Sequence, residues 1–268
     1  MGWDPRGDKL AKNVIKLRPG PRDGISTRFL DMIGGMVALG AVMYIFPEAA
    51  RWLVFPFVLL GWLVSLCLHE FGHAYAALRF GDTTVRGKGY LTLDPLLYTD
   101  AQFSILMPMV FLALGGLGLP GGAVYLDTWH MKAWQRAWIS AAGPIATAGV
   151  LVVLLIIMAI IPGLATRPVL WASLSALAML QVSALLYNLL PVPGLDGYGI
   201  IEQWLPITWR ETGRRMMPIG PMLLALVFIA LPVVGSQFYT AVYATSKAVG
   251  IDPRLIGMGL RMFQFWRF

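Results

Sequence analysis

Long apolar stretches separated by short polar ones organise this chain. Uncharged runs extend over Met32–Pro47, Trp52–Leu68, Ala101–Leu126, Ala137–Thr166, Pro168–Leu195 and Met216–Ser246. Each approaches or exceeds the roughly 20 residues of helix that cross a bilayer. The pattern predicts an all-α polytopic membrane protein with about five or six membrane segments. Composition agrees: hydrophobic residues make up 57% of the chain and charged residues 13%, with a mean hydropathy of +0.68. A soluble domain of this length would carry far more charge.

The net charge of +7 adds topology rather than a ligand. Lys9, Lys12, Lys16, Arg18, Arg22 and Arg28 precede the first apolar run, so residues 1–28 read as a basic cytosolic arm by the positive-inside bias. Nucleic-acid binding is not expected of it, because Trp3 is its one aromatic residue before Phe29 and Pro5, Pro19, Gly20, Pro21 and Gly24 make it loop-like. Residues 29–246 form the predicted membrane-embedded domain. The tail, residues 247–268, mixes Arg254, Arg261 and Arg267 with Phe263, Phe265, Trp266 and Phe268, the composition of an amphipathic helix lying at the membrane interface. The lone cysteine, Cys67, excludes an internal disulfide and reads as a small packing residue. No stretch is long and polar enough for a folded sensing module.

One short segment breaks the apolar pattern chemically. His69-Glu70-Phe71-Gly72-His73 ends the second run. With about 3.6 residues per turn, His69 and His73 share a helix face and can offer two imidazole nitrogens to one metal ion, with Glu70 beside it. An acid at membrane depth costs several kcal/mol unless it is paired or hydrated, and a divalent cation would compensate. Glu70 stands nine residues before Arg79. At about 1.5 Å per residue this is roughly 13 Å below the predicted cytosolic surface. Two histidines leave a catalytic zinc one protein ligand short. Asn188-Leu189-Leu190-Pro191-Val192-Pro193-Gly194-Leu195-Asp196-Gly197 closes another apolar run and supplies an acid. Its prolines cannot continue a helix and its glycines permit unusual dihedrals, so the stretch is expected to break the span and aim Asp196 inward.

These segments together resemble the site-2 proteases, intramembrane zinc metalloproteases. His69–His73 is similar to that family's first motif and Asn188–Gly197 to its second. Gly89–Pro95 and Ala142-Gly143-Pro144 look like the connecting elements of its compact bacterial and archaeal branch, which lacks appended regulatory domains. The resemblance spans about Phe29 to Phe228. It implies one Zn2+ per chain held by His69, His73 and Asp196, with Glu70 as general base and Asn188 holding substrate near the metal. From sequence alone Asn188 serves equally well as a cap for the broken helix. The implied activity is hydrolysis of peptide bonds within or near transmembrane segments of other membrane proteins, performed by a multi-pass protein of the cell membrane whose partners are its substrate and the lipid bilayer.

Topology constrains the middle of the chain. Both motifs must reach one metal near the cytosolic side, so the run Ala101–Leu126 has to return to the side it left. A re-entrant or β-hairpin element is expected there, turning at Gly115–Gly122. Leu91–Leu93 and Ala123–Tyr125 each have the pattern of a short edge strand for an unwound substrate, with a packed connecting loop as the alternative. Ala141, Gly143, Ala146 and Gly149 make a small-residue surface suited to close helix approach, in support of the metal helix. His130, Asp94, Asp100, Asp127 and Glu202 read as loop or interface residues, and Asp31 as a headgroup-facing acid. Two rival functions use the same residues: a non-enzymatic scaffold and a metal transporter. All four chemical positions are intact, against the first, and the polar groups cluster at one depth instead of lining a path, against the second.

Overall fold

The computed structural model describes residues 24–98, 126–161 and 166–265. Among them no strand occurs, and four helices are long and apolar enough to cross a membrane. Helix α1 (Thr27–Ile45) starts at an N-cap, Ser26, whose hydroxyl accepts from the Phe29 amide at 3.2 Å. Helix α2 (Ala50–Arg79) returns alongside it and is 30 residues long. At about 1.5 Å per residue it outruns the hydrocarbon layer and continues to the polar side with Arg79 in its last turn. A single turn, α3 (Thr84–Gly87), follows. Helices α4 (Ala133–Ile160) and α5 (Pro168–Asn188) form a second antiparallel pair.

Helix α5 is the centre of the bundle. Its apolar window is 83% buried, against 11% for α1, which leaves α1 at the periphery facing lipid. A helix apolar on every side belongs inside, and α5 has no polar face. Its leucines and alanines meet Val54, Phe57, Val58, Trp62 and Leu66 of α2 and Leu151 and Leu154 of α4. The polar atoms it carries inward are paired locally where they can be: Ser65 donates to the Gln181 side-chain oxygen, and Gln181 reaches the Leu177 carbonyl. Glycine permits the tightest crossings. Gly61 lies against Leu177 and Met36, and a Cβ at Gly72 would stand 2.7 Å from the Ala142 carbonyl oxygen. Of the small-residue surface of α4, Gly143 and Ala146 therefore face the helix that carries His69 and His73, while Gly149 is exposed.

After α5 come α6 (Asp196–Ile201), α7 (Ile207–Met216), α8 (Gly220–Ala230), α9 (Pro232–Ala248) and α10 (Pro253–Phe263). The last apolar run, continuous in hydropathy, bends by 97° between α8 and α9. Pro232 lacks an amide hydrogen and keeps Leu231 out of the helical region (φ −118°, ψ 84°), so a new helix has to begin there. Counted as one span, the bent pair makes five. The amphipathic tail helix is present as α10, N-capped by Asp252. Its apolar face packs on protein: Gly259 sits against the Ala172 carbonyl, and Phe263 stacks on Phe55 with ring centroids 5.4 Å apart.

Phe80 meets Trp134 edge-on at 5.2 Å, so the end of α2 and the start of α4 lie at the same level, as the topology argument required. The turning segment Gly115–Gly122, the strand candidate Ala123–Tyr125 and Asp100 lie outside the described residues. Leu91–Leu93 is a packed loop and not a strand. Thr92 accepts from Ser26 through its carbonyl at 2.7 Å, Leu93 has a positive φ of 58°, and the Tyr98 hydroxyl accepts from the Leu93 amide while donating to the Tyr90 carbonyl. These bonds turn the backbone groups of Thr92 and Leu93 inward, onto α1 and Tyr98.

Candidate metal centre

Helical geometry alone brings His69 and His73 together. Their rings are 4.8 Å apart and their Nε2 atoms 3.1 Å apart. The third partner comes from 123 positions further along the chain (196 − 73). Helix α5 ends at Asn188, Pro191 and Pro193 prevent its continuation, and the chain doubles back to start α6 at Asp196. Two glycines make the reversal possible. Gly194 adopts φ +93° with Met217 and Pro221 where a side chain would be, and Gly197 lies directly on the Leu189 and Leu190 carbonyls. Asp196 then spans the pair: Oδ2 is 3.2 Å from His69 Nε2 and Oδ1 is 3.2 Å from His73 Nε2.

The donor set fits a zinc ion. One ligand atom from each of the three residues lies within 4.8 Å of the others. Zinc–nitrogen bonds of about 2.0–2.1 Å in a tetrahedron put neighbouring ligand atoms roughly 3.3 Å apart, close to the separations here. The tautomers agree as well. His73 Nδ1 is 2.7 Å from the Ile139 carbonyl, which can only accept, so that nitrogen carries the hydrogen and the neutral ring presents a lone pair at Nε2. His69 Nδ1 is 2.9 Å from the Thr147 hydroxyl. Two imidazole lone pairs and a carboxylate facing one another repel unless a cation lies between them.

Helix α4 shapes the cradle around these donors. A Cβ at Gly143 would collide with the Nε2 atoms of both histidines, so only glycine leaves them room. Ser140, one turn earlier, fills the space left by Gly199 on α6 and so seats the helix that starts with Asp196. Thr147 and the Ile139 carbonyl were not legible as partners of the histidines. The available signal was slight: Thr147 is one of two hydroxyl residues between Ala137 and Ile160, four positions after Gly143.

Glu70 is buried at 4% exposure, and its carboxylate makes no hydrogen bond among the described residues. Asn188 is buried as the last residue of α5, likewise without a side-chain hydrogen bond among the described residues. The remaining polar candidates fall outside the centre. His130 stands 4.0 Å from Asp127 on the half-exposed surface. Asp94 pairs with Arg28 at 2.6 Å and caps the turn at Leu96, while Glu202 pairs with Arg214 at 2.6 Å. Asp31 is exposed near the start of α1. Asp82, buried in the turn after α2, accepts from the Thr84 amide and hydroxyl and from the Asp127 amide. Burial by itself would raise its pKa, but these bonds outweigh it and hold the carboxyl below its ordinary range.

Comparison with known proteins points to the same chemistry. Residues 57–167 match the model of peptidase family M50. The chain is 41% identical over 255 residues to Rip2 of Mycobacterium tuberculosis, named as a zinc metalloprotease, covering 92% of this chain and 97% of that protein. It is 42% identical over 260 residues to the Rip2 protein of Mycolicibacterium smegmatis, covering 95% and 98%. YwhC of Bacillus subtilis, also named as a zinc metalloprotease, is 30% identical over 188 residues, 65% of this chain and 80% of that one. No solved structure matches.

Proposed function

The chain belongs to peptidase family M50, the site-2 proteases, and is a zinc metalloprotease of the membrane; from that premise we propose that His69, His73 and Asp196 hold its zinc ion, that Glu70 is the general base, and that Asn188 positions the peptide to be cut. The observation that carries the assignment is the meeting of two α2 imidazoles with a carboxylate from the reversed chain after α5. Bound there, zinc supplies Lewis acidity to the scissile carbonyl and brings the pKa of water to about 7.

The residues of the chain divide the remaining work. Thr147 and Ile139 hold the imidazoles with their Nε2 lone pairs inward, and Asp196 balances part of the cation's charge. Glu70 lies next to His69 on the same helix end, its carboxylate without a hydrogen-bond partner among the described residues. It accepts a proton from the attacking water and returns it to the nitrogen of the leaving amine. Asn188 carries an amide donor and acceptor, unpaired among the described residues, that can hold an extended segment by its backbone. The substrate class is the membrane-spanning segment of another protein.

We also assign the metal-bearing end to the cytosolic side. The first residues of α1 lie at that end, where Arg28 pairs with Asp94, and the basic sequence before Phe29 favours the cytosolic side by the positive-inside bias. The function is tested by reconstituting wild type and Glu70→Gln with a single-span membrane substrate. Cleavage is expected to fall by at least about a hundredfold in the variant, with zinc content unchanged. Undiminished turnover of Glu70→Gln would end the mechanism.

A further inference from the structure

We propose that Thr147 is a positioning residue for the metal: its hydroxyl fixes the tautomer and the ring angle of His69, and so sets how tightly the chain retains zinc. The inference rests on the assignment of His69 as a ligand.

The two histidines are held differently. His73 donates from Nδ1 to a main-chain carbonyl, Ile139, at 2.7 Å, an anchor that no side-chain substitution removes. Among the described residues, the Nδ1 of His69 relies on one side chain, the Thr147 hydroxyl at 2.9 Å. Thr147 is 2% exposed on an otherwise apolar stretch of α4, and its hydroxyl makes no other hydrogen bond among the described residues. A buried hydroxyl costs free energy unless it is bonded, so its placement opposite this nitrogen is specific.

A ring ligating through Nε2 must carry its hydrogen on Nδ1, and Thr147 Oγ1 is then the acceptor. Without that acceptor the hydrogen has no partner in an apolar site, and the competing tautomer places it on Nε2, where it blocks the metal. Partners of this kind commonly change metal affinity by about 10–100-fold when removed. The register of α4 makes the arrangement mechanical. Ile139, Gly143 and Thr147 recur every four residues on one face, so one turn of helix on either side of the glycine that faces both Nε2 atoms reaches one histidine each.

The test is zinc affinity, measured by chelator competition on detergent-purified wild type, Thr147→Val, Thr147→Ser and His73→Ala, with thermal unfolding of each metal-free protein recorded alongside. Valine preserves the shape of threonine and deletes the acceptor; serine restores it. Thr147→Val should bind zinc about 10–100-fold more weakly, with Thr147→Ser close to wild type and metal-free unfolding of the two alike. A merely structural role would lower metal-free stability in both variants without separating their affinities. Thr147→Val binding within twofold of wild type, or Thr147→Ser falling as far as Val, would overturn the proposal. If His73→Ala also binds as wild type does, the ligand assignment itself fails; if His73→Ala loses zinc while Thr147→Val retains it, only the positioning role is lost.

Discussion

Single atoms decide the centre. Asp196→Ala removes one of three donors and leaves two facing lone pairs, so elemental analysis should find about one zinc per chain in wild type and little in the variant. Gly143→Ala puts a methyl group where the two Nε2 atoms converge. It should lose metal and about 1–3 kcal/mol of stability through overpacking, read as a lower unfolding temperature beside a lost zinc signal. Outside the membrane, the depressed pKa of Asp82 has a definite sign. Its contribution is present above the ordinary carboxylate range and is lost as pH falls through the lower folded value. Asp82→Ala should therefore destabilise by about 1–3 kcal/mol near neutral pH, by stranding the Thr84 and Asp127 donors, and this deficit should shrink on acidification in a pH series of thermal unfolding.

At the scale of elements, the helices that matter most are the ones that turn or touch closely. The reversal after α5 depends on Gly194 in a left-handed conformation and on Gly197 lying against carbonyls. Gly194→Ala should cost on the order of 1–2 kcal/mol from the positive φ alone, and more from its collision with Met217 and Pro221. Helix α10 packs on α5 at the end opposite Asn188, with Gly259 on the Ala172 carbonyl. Gly259→Leu should lower the unfolding temperature in detergent while leaving zinc content per folded molecule intact, because the contact is remote from the donors. The bend at Pro232 shows why a hydropathy run does not count spans: apolarity fixes solvent preference, and the missing amide of proline sets the helix break.

For the whole molecule, the proposed cytosolic placement of the metal-bearing end rests on where α1 begins. Its N-cap and Arg28 are bonded to Thr92 and Asp94 in the loop that follows α2, so α1 begins on the metal-bearing side. A tag on residue 1 should be protected from protease added outside intact cells, and cleavage of the tag there would reverse the topology. The membrane class, the helical runs, the interruption at Pro191 and Pro193 and the residues His69, Glu70, His73 and Asp196 were all legible along the chain. The class and the runs depend on composition, the pairing of His69 with His73 on helical spacing, and the roles of Glu70 and Asp196 on motifs the chain shares with the site-2 proteases. The meeting of Asp196 with α2 was expected from the shared motifs, but its geometry, the seating of Gly143 under both imidazoles, the service of Ile139 and Thr147 to them, the choice of a packed loop at Leu91–Leu93 and the docking of α10 on protein were not legible. They join residues tens of positions apart or more, or use main-chain carbonyls that every residue carries. Periodicity records which face of a helix is apolar, but only packing in three dimensions selects the neighbour that covers it.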